Sequence, residues 1–364
     1  MRKVHAVELK SGVTIGMGFP CFVVAEIGNN HQGELALAKE LVKASADAGV
    51  NAVKFQKRRT EALLTRAGRE APYTGKNSFG PTYGEHREAL ELTVDHMREL
   101  KAYAESFGLV FFASCWDEPS LDEILALDVD VMKVASAELV NVPFLRKLGA
   151  SGVPVILSTG MSSIEEIDTA LAEIRRYHNN IILLHCNSRY PCPDEQIGLP
   201  VIETLREMYN VPVGYSGHER GMGPSVAAAA LGACVVERHV TLDRNMRGTD
   251  HQVSLEPDQL KTMVSMIREV ELACEVKGKK VFPEEQAAAK KLRKCIVFSR
   301  DLPAGHVLAE ADLTTRCPRD GVSPVHWDEV LGATLKVPVK HEEPLQWDTV
   351  SLLGAGECST AASS

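Results

Sequence analysis

Short runs of consecutive apolar residues recur along the chain between residues 21 and 240. They are CFVVAEI (21–27), NAVKFQ (51–56), VFFAS (110–114), VMKVAS (131–136), VPVILS (153–158), IILLHC (181–186), VPVGYS (211–216) and ACVVERHV (233–240). Consecutive apolar residues suit strands buried on both faces, as in parallel sheets covered by helices. Between the runs the hydrophobic spacing changes to helical, as in GELALAKELVKASADAG (33–49), HMRELKAYAESFG (96–108) and IEEIDTALAEIRRYH (164–178). The last of these is opened by a Ser163-x-x-Glu166 capping box. Eight alternations of strand and helix predict an α/β fold of the closed (β/α)8 TIM-barrel type, its ring completed by a helix over 257–275. An open doubly wound sheet that bound a dinucleotide would place a G-x-G-x-x-G turn after an early strand, and the chain has none there.

Two stretches break the alternation. YTGKNSFGPTYGEH (73–86) is rich in Gly, Asn, Ser and Pro and too long for a simple connection, so it is expected as a loop over the barrel mouth. From residue 276 the helical periodicity fades. The expected organisation is therefore a barrel over 1–275, a linker over 276–290, a small, largely β domain over 291–353 and a frayed polar tail over 354–364.

Composition narrows the function classes. With 364 residues the chain is long enough for one large barrel plus a smaller domain, and its 45% hydrophobic and 24% charged residues are ordinary globular values. A net charge of −9 argues against a broad nucleic-acid or anionic-membrane surface, so an anionic substrate needs local cations. The N-terminal MRKVHAVELKSGVTIGMG has no continuous apolar segment and no window has eighteen uninterrupted apolar residues, so neither secretion nor a membrane span is expected. The nine cysteines are scattered without a CxxC pair and are expected as buried reduced thiols in a cytoplasmic protein.

In a barrel of this kind the carboxyl ends of the strands face the active site. Here those ends are polar throughout: Glu26; Lys54 and Gln56; Ser114; Lys133 and Ser136; Ser158; Asn187, Ser188 and Tyr190; Ser216 and His218; Glu237 and His239. One polar strand end is usually just a satisfied terminus, but eight in register point to a site. His218 and His239 follow adjacent strands, and two neutral imidazoles suit an open divalent-metal site acting as a Lewis acid; core histidines bonded to their neighbours are the alternative. Lys54, Lys133 and the hydroxyls of Ser114, Ser136, Ser158 and Ser216 form a set suited to a phosphate and a carboxylate. A Schiff-base role for either lysine competes with this reading, but a nearby metal makes it redundant. Glu26 is either a general acid or base or a carboxylate that only orients a lysine.

With AEIGNNHQG, VKFQK, ILSTGMSS, GYSGH, ERHVTLD and SLEP in order, the chain resembles the sialic acid synthase family over roughly residues 20 to 350. Its C-terminal part resembles the family's antifreeze-like (SAF) domain. The resemblance implies condensation of phosphoenolpyruvate with N-acetylmannosamine, or its 6-phosphate, to N-acetylneuraminate, or its 9-phosphate, plus phosphate. It also implies phosphoenolpyruvate on Lys54, Ser114, Lys133, Ser136, Ser158, Ser188 and Ser216. A divalent ion, Mn2+ with Mg2+ or Co2+ as alternatives, falls on His218 and His239, and the sugar on Glu26, Gln56, Asn77, Tyr190 and Asp250. Glu26, Lys54, Lys133 and Glu237 become the catalytic set. A homodimer is implied in which the small domain of one subunit caps the barrel of the other.

One departure concerns that cap. Where many bacterial members of the family have an arginine that reaches the sugar, LTTRCPRDG has Cys317, with Arg316 and Arg319 as neighbouring substitutes. The loop over 73–86 looks more like that of the animal enzymes acting on a 6-phosphorylated sugar. The remaining alternatives are a related synthase acting on another aldose (KDN, legionaminate or pseudaminate type, or one making a 3-deoxy-ulosonate from a pentose or tetrose phosphate), and a non-enzymatic ice- or polysaccharide-binding protein.

Overall fold

A computed structural model describes residues 5–352; the expected tail lies outside them. The chain divides into two compact units, Met1–Glu275 and Val276–Ser364.

The first unit opens with a short antiparallel hairpin, β1 (Val7–Glu8) with β2 (Thr14–Ile15). Eight strands follow: β3 (Phe22–Gly28), β4 (Ala52–Lys57), β5 (Val110–Cys115), β6 (Met132–Val134), β7 (Val155–Ser158), β8 (Ile181–Cys186), β9 (Val213–Gly217) and β10 (Val235–His239). They close in sequence order, with β10 pairing back onto β3. All eight coincide with the apolar runs in the sequence.

Parallel register carries one face of the barrel from strand to strand. Inward positions low in the barrel are apolar: Phe22, Val24, Ala52, Val110, Phe112, Val131, Ile156, Ile182 and Leu184 form one buried cluster. The hairpin residues Val7, Leu9 and Ile15 belong to the same cluster, so the amino-terminal segment packs onto the barrel interior from one end. Further along the strands the inward position turns polar. Register pairs Glu26 with Lys54, Gln56 with Ser114, Ser114 with Lys133, Ser216 with Glu237 and His239 with Glu26. Side chains alternate along a strand, so the switch from apolar to polar at a two-residue step builds a polar layer above an apolar plug. The larger apolar cluster lies on the other face of the strands, against the helices.

The helices read from periodicity are present as Leu35–Ala48, Val94–Glu105, Ile164–Arg175 and Pro257–Ala273. The Ser163–Glu166 capping box forms as expected. The segment over 73–86 is more ordered than a plain loop: Ser78 is buried and donates to the Tyr73 carbonyl at 2.7 Å, and Thr82 caps a helix at Tyr83–Ala89 with Glu85 completing the box.

The second unit pairs β11 (Cys295–Phe298) with β12 (Leu313–Arg316) and β13 (Thr334–Leu335) with β14 (Val350–Ser351), all antiparallel. Its core includes Ile296, Phe298, Leu308, Val322, Leu335 and Leu345. A helix, Glu285–Leu292, crosses the end of the stretch read as a linker; its Ala-rich EQAAAKKL favours helix without a strong apolar stripe. Of the eight described cysteines none is in a disulfide, and Cys274 and Cys317 are exposed rather than buried. No helix among the described residues is long and apolar enough to cross a membrane.

Candidate active site

The polar layer lines a cavity of about 220 Å³ at the carboxyl ends of the strands. Glu26, Lys54, Gln56, Ser114, Lys133, Ser136, Ser158, Ser188, Tyr190, Ser216, His218, Glu237 and His239 all face it. Lys54 and Lys133 are both buried there, in different electrostatic settings.

The Lys54 ammonium lies 2.7 Å from Glu26 Oε2 and 3.8 Å from Glu237 Oε1. Burial works against its charge, but Glu237 and Glu26 outweigh burial and hold its pKa above the ordinary lysine value. That setting favours the ammonium form, the opposite of the desolvated, deprotonated amine that Schiff-base chemistry needs. Lys133 donates to Ser158 Oγ at 2.6 Å and to the Val134 carbonyl at 3.0 Å, and among the described residues it has no carboxylate within ion-pair distance. Burial therefore prevails and its pKa is lowered, with Lys54 opposing its charge as well. Lys133 thus lacks a carboxylate in direct contact, and Glu237, beyond ion-pair distance, is the chief support of its charge before an anion arrives. Burial alone would raise the Glu237 pKa, but Lys54, Lys133 and the 3.0 Å hydrogen bond from Ser216 Oγ hold it below the usual carboxylate value.

Glu26 is fixed from two sides, by Lys54 and by Gln56 Nε2 at 2.8 Å. Gln56 is in turn held by Arg58, which also donates to Asn29 Oδ1 at 3.2 Å and lies 3.1 Å from Glu91. Gly28 has a positive φ of 55°, and a Cβ there would stand 3.1 Å from Glu26 Oε1 and 3.2 Å from Gln56 Nε2. Only a residue without a side chain keeps both the conformation and the clearance.

The His218 and His239 rings lie 5.6 Å apart, with Tyr190 packed 3.9 Å from the His218 ring. His218 Nδ1 is 2.7 Å from the Asn187 carbonyl, which assigns that nitrogen as the donor and leaves Nε2 as a lone-pair nitrogen. Burial, with His239 nearby, lowers its pKa to about 3, so the ring is neutral. The Nδ1 of His239 is buried without a hydrogen-bond partner. The neutral His218 ring with its open Nε2 and the unpartnered Nδ1 of His239 fit a divalent ion, although no group of three or more His, Cys, Asp or Glu gathers as a cage among the described residues. The pair suits an ion whose remaining ligands come from substrate and water.

Three further contributors were not singled out from the sequence. Arg238 and Glu219, the chain neighbours of His239 and His218, form a fully buried ion pair at 2.8 Å. Arg238 also donates to the Gly221 carbonyl at 2.7 Å, Ser225 Oγ at 2.9 Å and the Glu219 carbonyl at 2.6 Å, while Tyr215 donates to Glu219 Oε2 at 2.7 Å. Alternation turns Arg238 away from the inward-facing Glu237 and His239, and a charged residue at an outward strand position was the available signal. The third is Gly160: its N–H donates to Ser136 Oγ at 3.1 Å, and a Cβ there would stand 2.8 Å from that oxygen.

Two of the expected sugar residues lie outside this cavity. Asp250 lines a second one of about 270 Å³ together with Asn29, and Asn77 lines a third with Lys76 and Arg244. The 73–86 segment folds on its own hydrogen bonds, which carries Asn77 away from the strand ends. In the small unit Cys317 is exposed, and Arg316 lies 4.0 Å from Glu342.

Comparisons with known proteins agree with this architecture. The profile of the NeuB family matches residues 41–279, and that of the SAF domain residues 293–351. The chain is 38% identical to the human N-acetylneuraminate-9-phosphate synthase over 94% of its own length and 96% of the relative's. It is 36% identical to the N,N'-diacetyllegionaminic acid synthase of Campylobacter jejuni, over 88% of its own length and 97% of that protein's. Among solved structures, an N-acetylneuraminic acid synthetase from Leptospira borgpetersenii in complex with citrate superposes with a TM-score of 0.69 at 31% identity, covering 78% of this chain and 95% of the other.

Proposed function

This chain belongs to the NeuB family and is an enzyme of the sialic acid synthase type, and from that premise we propose that it condenses phosphoenolpyruvate with an N-acetylated mannosamine to give an N-acetylneuraminate and phosphate. The observation that carries the reading is the joining, in one cavity, of two buried lysines, a set of hydroxyls and the His218–His239 pair. Lys133, Ser136, Ser158 and the Gly160 N–H bind the phosphate and carboxylate, with Ser114, Ser188 and Ser216 as further donors. Lys54 supplies its charge while held in place by Glu26 and Glu237.

The acceptor's open-chain aldehyde lies beside His218 and His239. When these two residues hold a divalent ion, Mn2+ in our reading, it supplies a Lewis acid for the aldehyde oxygen. C3 of phosphoenolpyruvate forms the new bond to the aldehyde carbon, water adds at C2, and phosphate leaves by cleavage of the C2–O bond. The attacking water gives one proton to the new hydroxyl, with Glu26 as the group that carries it, and its second proton leaves with the phosphate as C2 becomes a carbonyl. Gln56 and Tyr190 orient the sugar, with Asp250 and Asn77 serving its distal part.

We further infer a cytoplasmic homodimer in which the small domain of one subunit completes the barrel of the other. Phosphate release from phosphoenolpyruvate, with Mn2+ and N-acetylmannosamine, its 6-phosphate or the diacetamido sugars that lead to legionaminate and pseudaminate, tests the reaction. Turnover confined to a diacetamido sugar would replace the acceptor named here, and no turnover with any of them would remove the reading.

A further inference from the structure

Arg58, the first residue beyond β4, is enclosed to a degree rare for an arginine, with 2% of its surface exposed. Its guanidinium is clamped at one end. Glu91 Oε1 lies 3.1 Å from Nε, Glu91 Oε2 accepts the Arg58 backbone N–H at 3.1 Å, and the guanidinium carbon stands over the Trp116 ring, 5.2 Å from its centre. From that fixed base Nη2 reaches Gln56 Oε1 and, at 3.2 Å, Asn29 Oδ1. Gln56 and Trp116 line the active-site cavity, and Arg58 stands behind them.

The direction of donation along these contacts is fixed. A guanidinium carries donors only, so the Gln56 atom that faces it is the carbonyl oxygen. Asn29 Nδ2, 3.4 Å away, donates to the same oxygen. The Gln56 amide nitrogen is thereby turned to Glu26 Oε1, to which it donates at 2.8 Å, while the Lys54 ammonium lies 2.7 Å from Glu26 Oε2. A flipped amide would set its oxygen against the Glu26 carboxylate and its N–H groups against the guanidinium, replacing two attractive contacts by two repulsive ones. Glu26 is itself 2% exposed, so water does not relieve the clash. In the enforced orientation the second N–H of Gln56 has no acceptor among the described residues. The cavity wall therefore offers an amide donor beside a carboxylate, a pair that one sugar hydroxyl satisfies by accepting from Gln56 and donating to Glu26.

We propose that Arg58 is a positioning residue for the acceptor: by fixing the Gln56 amide it sets the donor–carboxylate pair that Gln56 and Glu26 present to the sugar, without touching substrate itself. The inference rests on the synthase reading given above. Its test is a double-variant cycle on phosphate release by the full-length enzyme, with Mn2+, phosphoenolpyruvate and the fastest of the acceptors named above. Arg58→Lys keeps a cation beside Glu91 and loses the nitrogen that reaches Gln56 and Asn29. It should lower kcat/KM for the acceptor by about 10-fold or more, with the KM for phosphoenolpyruvate within about twofold of wild type. Since Arg58 acts through Gln56, adding Arg58→Lys to Gln56→Ala should cost no more than about a further twofold. Gln56→Glu leaves Arg58 unaltered but sets an oxygen against Glu26, and should lower acceptor kcat/KM at least as far as Gln56→Ala. Losses that multiply in the double variant, an equal rise in both KM values, or near-wild-type acceptor kinetics in Arg58→Lys or Gln56→Glu overturn the positioning role while leaving the synthase reading intact. Absence of wild-type turnover with every acceptor overturns both.

Discussion

Removing Arg238 tests how the histidine pair is held. In Arg238→Met the side-chain volume is largely kept, while Glu219 loses its 2.8 Å partner and the Gly221 and Glu219 carbonyls lose their donor. Both members of the pair are fully buried, so no water replaces the lost contacts. Breaking such a pair from one side costs about 3–5 kcal/mol, because a buried charge is left uncompensated. For a unit of this size that corresponds to a fall in Tm of roughly 10 °C for the barrel transition, measured by circular dichroism or calorimetry. Glu219→Gln should cost a similar amount, as it leaves the guanidinium unpaired and weakens the Tyr215 contact. Glu219→Leu combined with Arg238→Met removes both charges and should cost no more than either single change, so the two effects fall well short of adding. Since Glu219 and Arg238 are the chain neighbours of His218 and His239, each single variant should also weaken Mn2+ binding by about 10- to 100-fold in a calorimetric titration. Additive losses in the double variant, or single variants with wild-type Tm and Mn2+ affinity, would refute the coupling.

Other perturbations address the cavity directly. Lys54→Ala leaves Glu26 and Glu237 without their shared cation, so phosphate release should fall by at least about 100-fold; unchanged kinetics would take Lys54 out of the site. Gly160→Ala pushes a methyl group onto Ser136 and Ser188, and the KM for phosphoenolpyruvate should rise by about 10-fold or more with the far-ultraviolet spectrum unchanged. His31 is buried and its pKa is lowered to about 3, by burial first and then by Arg58, so the folded state keeps it neutral while the unfolded chain protonates near 6.5. Its contribution to stability is therefore lost progressively as pH falls from 6.5 towards 3. At pH 5 it costs about 2 kcal/mol relative to pH 7, and His31→Gln should show a correspondingly smaller acid loss in denaturant titrations. Deleting the chain from residue 286 should suppress turnover while the barrel retains its far-ultraviolet spectrum, and a fully active truncation would remove the small domain from catalysis.

Much of this protein is determined by local pattern. The eight apolar runs are strands because continuous hydrophobicity over five to eight residues satisfies a sheet covered on both faces, and that property belongs to the chain itself. Strand alternation then carries the polar residues at the strand ends to one mouth, which is why Glu26, Lys54, Lys133, Ser158, Ser216, His218 and His239 could be collected before any coordinates. Contacts between distant segments had no such local signature. That Lys54 has carboxylates in direct contact and Lys133 does not depends on which groups lie within a few ångströms once the barrel closes, since β10 brings Glu237 beside Ser216 and across from Lys54. The Arg238–Glu219 pair, the amino-terminal hairpin against the barrel interior and the clearance around Gly160 likewise join segments that sequence spacing does not relate. Asn77 and Asp250 lie outside the main cavity because the 73–86 segment and the chain after β10 follow their own hydrogen bonds rather than the strand register. The same tertiary placement brings Arg87, Arg247 and Asp250, widely separated in sequence, to the wall of one cavity.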